Sequence, residues 1–272
     1  MFFSCVDTKI KLKPNEKNVD FLIEKGKVLW EQRTNKGALK KAEHFISRAS
    51  EERPRDFELS VLLSRIKHTN ANYFEKDPFI KKQALLEGAR IAKLAVLKHT
   101  KFESLFEDVI GDTSFKLISS IPNAPKELVP GLFWWAVNKA QYLNDQPVLE
   151  RLNQRELLEV IMHRVLSLDP GFNYSGPYRF FGSLYSKIPG VELSQAQTYF
   201  EQAIKLNPEY LLNSVFMAEY YLQKKGDREQ FNRILNNVIN TDLNQYPTLM
   251  NENYFSKVHA QALLNKESSL FE

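Results

Sequence analysis

Three stretches of this chain end in a proline with the same spacing before it. The first holds Ala42, Ile46, Ala49 and Pro54, the second Leu158, Met162, Val165 and Pro170, the third Ala196, Phe200, Ala203 and Pro208. Each set sits at offsets 0, 4, 7 and 12. Offsets 0, 4 and 7 fall on one face of an α-helix. Small outer residues, alanine in the first and third sets, let a second helix approach closely. The bulky residue between them fills the groove. The proline stops the helix before the next element begins. Any amphipathic helix shows the first three offsets. The shared closing proline, preceded by Leu-Asp at 168–169 and Leu-Asn at 206–207, marks a repeat instead. A repeat of this kind requires helix pairs stacked so that each buries its apolar face against the next.

The rest of the chain agrees. Helical patterning runs from about Val19 onward, with predicted helices over 38–50, 55–69, 78–98, 128–143, 147–168, 177–186, 194–206, 208–224, 228–239 and 251–264. Residues 101–130 are less regular, and the prolines at 122 and 125 mark a loop. Ten glycines and 12 prolines in 272 residues are too few for the turns of a β-sandwich or barrel. At 43% hydrophobic and 26% charged, the chain is not a disordered one. It contains no apolar run long enough to span a bilayer as a helix. The net charge of +4 is mild and the two signs are interspersed, which does not suit a nucleic-acid binder. The densest basic stretch, Lys9 to Lys13, reads as a solvated terminus. A single cysteine excludes an internal disulfide and a zinc cluster built on cysteines.

The spacing is that of the second helix and closing proline of a tetratricopeptide repeat. Gly182 and Tyr185 match first-helix positions of the third repeat, and Gly26 and Trp30 those of the first. The expected fold is therefore all-α: a compact tetratricopeptide-like array of helical hairpins. It should comprise one domain over residues 19–272, preceded by a lysine-rich tether over 1–18.

Four further stretches carry a family resemblance. They are Glu24 to Arg33, Leu132 to Trp135, Leu168-Asp169-Pro170 with Gly176 to Gly182, and Pro189-Gly190 with Ala196 to Ile204. Ala218 to Tyr221, Gly226 to Arg228 and Phe231 extend the match. On these residues the chain resembles the T-component of TRAP transporters, a tetratricopeptide-like periplasmic lipoprotein family, over roughly residues 19–265. The resemblance implies a compact helical array around a central, mostly apolar cavity or channel. It implies a trimer that associates with a periplasmic substrate-binding protein and takes part in delivering small hydrophobic or organic-acid ligands. It also implies a lipid anchor on an N-terminal cysteine, which here is Cys5, following Ser4. A lipoprotein signal needs a basic segment and an apolar one before that cysteine. Four residues cannot supply them, so either a signal lies upstream of this sequence or Cys5 is an ordinary thiol; the expected setting is periplasmic and lipid-anchored, with cytoplasmic as the alternative.

The residues suggest no catalysis. The histidines at 44, 68, 99, 163 and 259 are scattered, no pair has helical metal-ligand spacing, and no glycine-rich phosphate loop occurs. No metal or cofactor is expected. The aromatic clusters are more informative. Phe133, Trp134 and Trp135 point about 100° apart on a helix, so they cannot all enter one core. Tyr178, Arg179, Phe180 and Phe181 repeat the situation around a cation. The candidate cavity residues are Phe133, Trp134, Trp135, Tyr178, Arg179, Phe181 and Tyr185, with Arg179 placed to pair with a ligand carboxylate. The function expected is a non-enzymatic accessory component of a solute transporter. The alternative is a cytosolic tetratricopeptide adaptor that binds a peptide or protein partner.

Overall fold

The computed structural model describes residues 14–272, with side chains from residue 18 onward; Cys5 and most of the tether lie outside the described residues. Among the described residues every regular element is helical, so the fold is all-α. The order is α1 (Pro14–Glu31), α2 (Lys36–Glu52), α3 (Phe57–Tyr73), α4 (Pro78–Leu97), α5 (Thr100–Glu107), α6 (Thr113–Ser120), α7 (Val129–Leu143) and α8 (Val148–Leu168). Then come α9 (Phe172–Tyr185), α10 (Leu193–Leu206) and α11 (Leu212–Phe216), which continues through a π-helical turn, Met217–Leu222, into α12 (Gln223–Lys225). The chain ends with α13 (Arg228–Asn240), α14 (Met250–Leu264) and α15 (Glu267–Leu270).

Local chemistry sets the boundaries. The side chains of Asn35, Asp56, Asp77 and Asp227 cap α2, α3, α4 and α13 by accepting from backbone N–H groups of the first turn. Pro78 then supplies a preset first-turn φ for α4. Gly226, at φ +76°, ends α12 in the left-handed conformation that glycine adopts without a Cβ penalty.

Three differences from the predicted pattern stand out. The first helix begins at Pro14, ahead of the expected start near Val19. The irregular 101–130 stretch contains α5, α6 and two 3₁₀ turns. The helix expected over 208–224 begins only at Leu212, because residues 207–211 form a turn held by Asn253, whose side chain accepts from Leu211 N–H at 3.0 Å and donates to Glu209 C=O at 2.9 Å.

The repeat positions are closely packed. All nine apolar positions of the three sets are buried. In two hairpins a first-helix glycine meets the bulky middle residue. A Cβ on Gly26 would lie 2.4 Å from Ile46, and one on Gly182 would lie 2.8 Å from Phe200. Only glycine permits these helix pairs to close to that distance. Three core clusters follow in chain order, centred on α1–α3, on α4 with α7–α9, and on α10–α14.

The first and last parts of the fold also touch. Arg33 pairs with Glu252 at 2.5 Å, Asn251 donates to the Glu31 C=O at 3.0 Å, and Tyr73 stacks on Phe255 with ring centroids 4.1 Å apart. The array thus curls round until α14 meets the loop after α1, and a pocket lies within the curve.

Candidate functional site

The pocket has a volume of about 220 Å³. Its walls follow helical register. α3 contributes Arg65, His68, Thr69 and Tyr73, and α7 contributes Phe133, Trp134, Val137 and Gln141. α9 contributes Gly176, Arg179, Phe180, Ser183 and Leu184, at intervals of three and four. Tyr210, Phe216, Tyr220 and Phe255 complete the far side.

On α3 the polar groups form a chain whose directions can be assigned. Ser64 donates its hydroxyl to the Gly88 C=O at 2.8 Å, so its oxygen accepts from Asn138 Nδ2 at 3.0 Å. Asn138 Oδ1 is then the acceptor that faces His68 Nδ1 at 2.9 Å. The imidazole must therefore donate from Nδ1 and present Nε2 as a lone-pair acceptor. Burial pushes the His68 pKa down to about 4 from its ordinary 6.5, so the ring is neutral near pH 7. Gly88 leaves the room this network needs, since a Cβ there would lie 2.9 Å from Asn138 Nδ2.

The start of α9 is built differently. Asn173, Tyr174 and Ser175 all have left-handed backbone, with φ of 49°, 55° and 62°. Such a conformation costs an L-residue about 1–2 kcal/mol. The segment is clamped from three sides. Arg179 donates to the Asn173 C=O at 3.3 Å and to the Tyr174 C=O at 3.2 Å. Asn213 donates to the Tyr174 C=O at 3.3 Å and accepts from Arg179 at 2.6 Å. The Ser175 hydroxyl donates to Asn207 Oδ1 at 2.7 Å. Tyr174 also stacks on Tyr210, and the Arg179 guanidinium lies over the Tyr210 ring at 4.9 Å.

The charge of the pocket is unbalanced. Six cationic side chains line it against one acid, Glu252. Arg33 takes that acid at 2.5 Å, Arg155 pairs with Glu159 at 3.1 Å, and Lys187 donates to Asn144 at 2.9 Å. Arg65 is different. Its Nε is closed off from solvent and has no acceptor, and its side chain makes no hydrogen bond or ion pair with any described residue. Burial, and then the neighbouring Arg33, push its pKa below the usual arginine value.

Of the expected cavity residues, Phe133, Trp134 and Arg179 line the pocket. Trp135 is buried on another face of α7, with Lys93 over its ring at 5.6 Å. Tyr178, Phe181 and Tyr185 gather around Tyr199 instead, with centroids 5.1–6.3 Å from it. The reason is register: Phe181 lies two positions past Arg179 and so points to the opposite side of α9, while its neighbour Phe180 lines the pocket. The expected pairing of Arg179 with a ligand is also altered, because its guanidinium is bonded to its own loop and to Asn213. Sequence reasoning missed Arg65, His68 and Tyr210. The first two are polar residues three apart on α3, a spacing that places them on one face but that a solvated helix face shows equally.

The fold and pocket define a class: an all-α protein, assembled from paired helices, with a cation-rich aromatic pocket in the curve of the array. Among the described residues no helix is long and apolar enough to cross a membrane, and no group of acids, histidines or cysteines could hold a metal ion. The family model of the TRAP transporter T-component matches residues 50–271, and the chain belongs to that family. It is accordingly an accessory component of a TRAP transporter. No curated protein matches it.

Proposed function

We propose that the protein binds a small organic acid with an apolar body in this pocket and passes it to, or receives it from, a substrate-binding protein of the transporter. The observation that carries this reading is the pocket itself, with aromatic walls and six cations facing one acid. Such a lining suits an anion with a hydrophobic part. The volume of about 220 Å³ is below the range of roughly 300–1,000 Å³ typical of drug-sized ligands, which favours a small molecule over the peptide tail of an adaptor.

The remaining parts of the reading follow from the family. Residues 19–272 act as one tetratricopeptide-like domain, assembled as a trimer in the periplasm and tethered through lipidated Cys5. The protein carries out no chemistry on its ligand. Native mass spectrometry of the protein isolated from membranes tests the whole reading. The expected result is a trimer with acylated Cys5 that releases a small organic anion on denaturation and forms a defined complex with the substrate-binding protein. A soluble, unmodified monomer with neither ligand nor complex would overturn it.

A further inference from the structure

Two guanidiniums of the pocket, Arg65 and Arg151, have a buried Nε that no described residue answers, and of the two Arg65 is the one set against aromatic rings and next to a neutral histidine on the same helix face. We propose that the Arg65 guanidinium is the carboxylate anchor of the pocket, and that His68 Nε2 beside it accepts from a hydroxyl adjacent to that carboxylate. This deepens the reading of the pocket as an organic-acid site and rests on it.

A buried charged donor without an acceptor is costly to a fold and is retained where a ligand completes it. Arg65 Nε is such a donor. Arg33 occupies the acid that could have answered it, Glu252, at 2.5 Å. The side chain is held by indoles instead, with its Cζ 5.2 Å from the Trp30 ring and 5.6 Å from the Trp134 ring. Two neighbouring aromatic rings favour the charged form of a delocalised cation, whose N–H edge suits a planar, two-oxygen acceptor.

His68 lies one turn further along α3, on the same face, with its ring 5.0 Å from that of Trp134. The Ser64–Asn138 chain fixes Nδ1 as the donor to Asn138, which leaves Nε2 an acceptor. A cation next to a neutral acceptor complements a carboxylate next to a hydroxyl. The apolar body would then lie along Phe133 and Phe180. Arg179 does not share this role, because its donors hold the left-handed segment.

The test uses the full chain, tryptophan fluorescence and calorimetry, with octanoate, octanamide and 2-hydroxyoctanoate as probes. Wild type is expected to bind octanoate at least ~10-fold more tightly than octanamide. Arg65→Gln should abolish that preference while the urea midpoint stays close to that of wild type, which shows that the fold is intact. 2-Hydroxyoctanoate should bind about 5-fold more tightly than octanoate, and His68→Phe should remove only that gain. If Arg65→Gln keeps the preference for octanoate, the anchor is wrong and the pocket reading stands. A hydroxyl gain that is absent, or that survives His68→Phe, overturns the role given to His68. Should wild type bind none of the probes, the pocket reading falls and the anchor falls with it.

Discussion

Two walls of one pocket treat an arginine in opposite ways. On α3 the backbone is regular, the neighbouring polar groups satisfy one another, and Arg65 is left without a hydrogen-bonding partner. On α9 the backbone is left-handed through three successive non-glycine residues, and Arg179 is bonded to the segment that carries the strain. A relaxed wall can leave a donor available to a ligand. A strained wall must use its donors to hold itself. The two guanidiniums look alike as letters in the sequence, yet one is a candidate ligand group and the other a brace.

The largest expected effect separates them by stability. Arg179→Met removes charge-assisted bonds to two carbonyls and to Asn213, and should lower the unfolding free energy by about 3–5 kcal/mol. Arg65→Met removes an unanswered charge and two indole contacts whose effects offset, and should change it by no more than about 1 kcal/mol. Urea unfolding of both variants decides the matter. Equal losses would break the comparison.

The α3 wall should show its own signature in pH. The folded state holds His68 at about 4, below its ordinary 6.5. Between those values the unfolded chain binds a proton that the folded chain refuses. Stability from this group is therefore complete above pH 6.5 and declines as the pH falls toward 4, by about 3 kcal/mol in all. Unfolding at a series of pH values should show that decline in wild type and a shallower one in His68→Phe. Parallel curves would mean that the ring is not held neutral.

These walls also mark how far the sequence could be read. The all-α fold and its buried helix faces were legible because Ala42, Ile46, Ala49 and their counterparts repeat at helical offsets, and a packed helix face depends on spacing alone. The pocket was legible only in part. Phe133 and Trp134 stood out as successive aromatic residues that point about 100° apart on a helix, but the same reasoning selected Phe181 and Tyr185, which pack on Tyr199. Which side of α9 faces inward depends on a left-handed turn at Asn173 to Ser175, and no glycine at those three positions announces it. The closure of the array was equally hidden, since Arg33 and Glu252 are 219 residues apart and no local pattern couples them.

A smaller effect probes how tightly the strained segment is seated. Gly176 follows it, and a Cβ there would lie 2.6 Å from the Phe133 ring. Phe133 is buried and packed against Trp134 and Phe172, so it has little room to retreat. Gly176→Ala should cost about 2 kcal/mol by overpacking and should shift the tryptophan emission as Phe133 moves against Trp134. A neutral result would mean that this end of α9 is loosely placed, which contradicts a braced wall.

The smallest effect tests the strain directly. Asn173 is the first left-handed residue, at φ 49°, and its side chain makes no hydrogen bond with any described residue that the substitution would lose. Its carbonyl still receives Arg179 whatever the side chain is. Asn173→Gly therefore removes the steric penalty of the left-handed backbone and keeps the brace. Asparagine tolerates that region better than most residues, and glycine adds entropy to the unfolded chain, so the two effects partly offset. The net gain should be at most about 0.5–1 kcal/mol, read as a small rise in urea midpoint at constant m. In an Arg179→Met background the gain should be larger, because strain relieved by glycine no longer needs the lost brace. That non-additivity would show that the guanidinium and the left-handed backbone are one device; strict additivity would show that Arg179 is placed there for some other purpose.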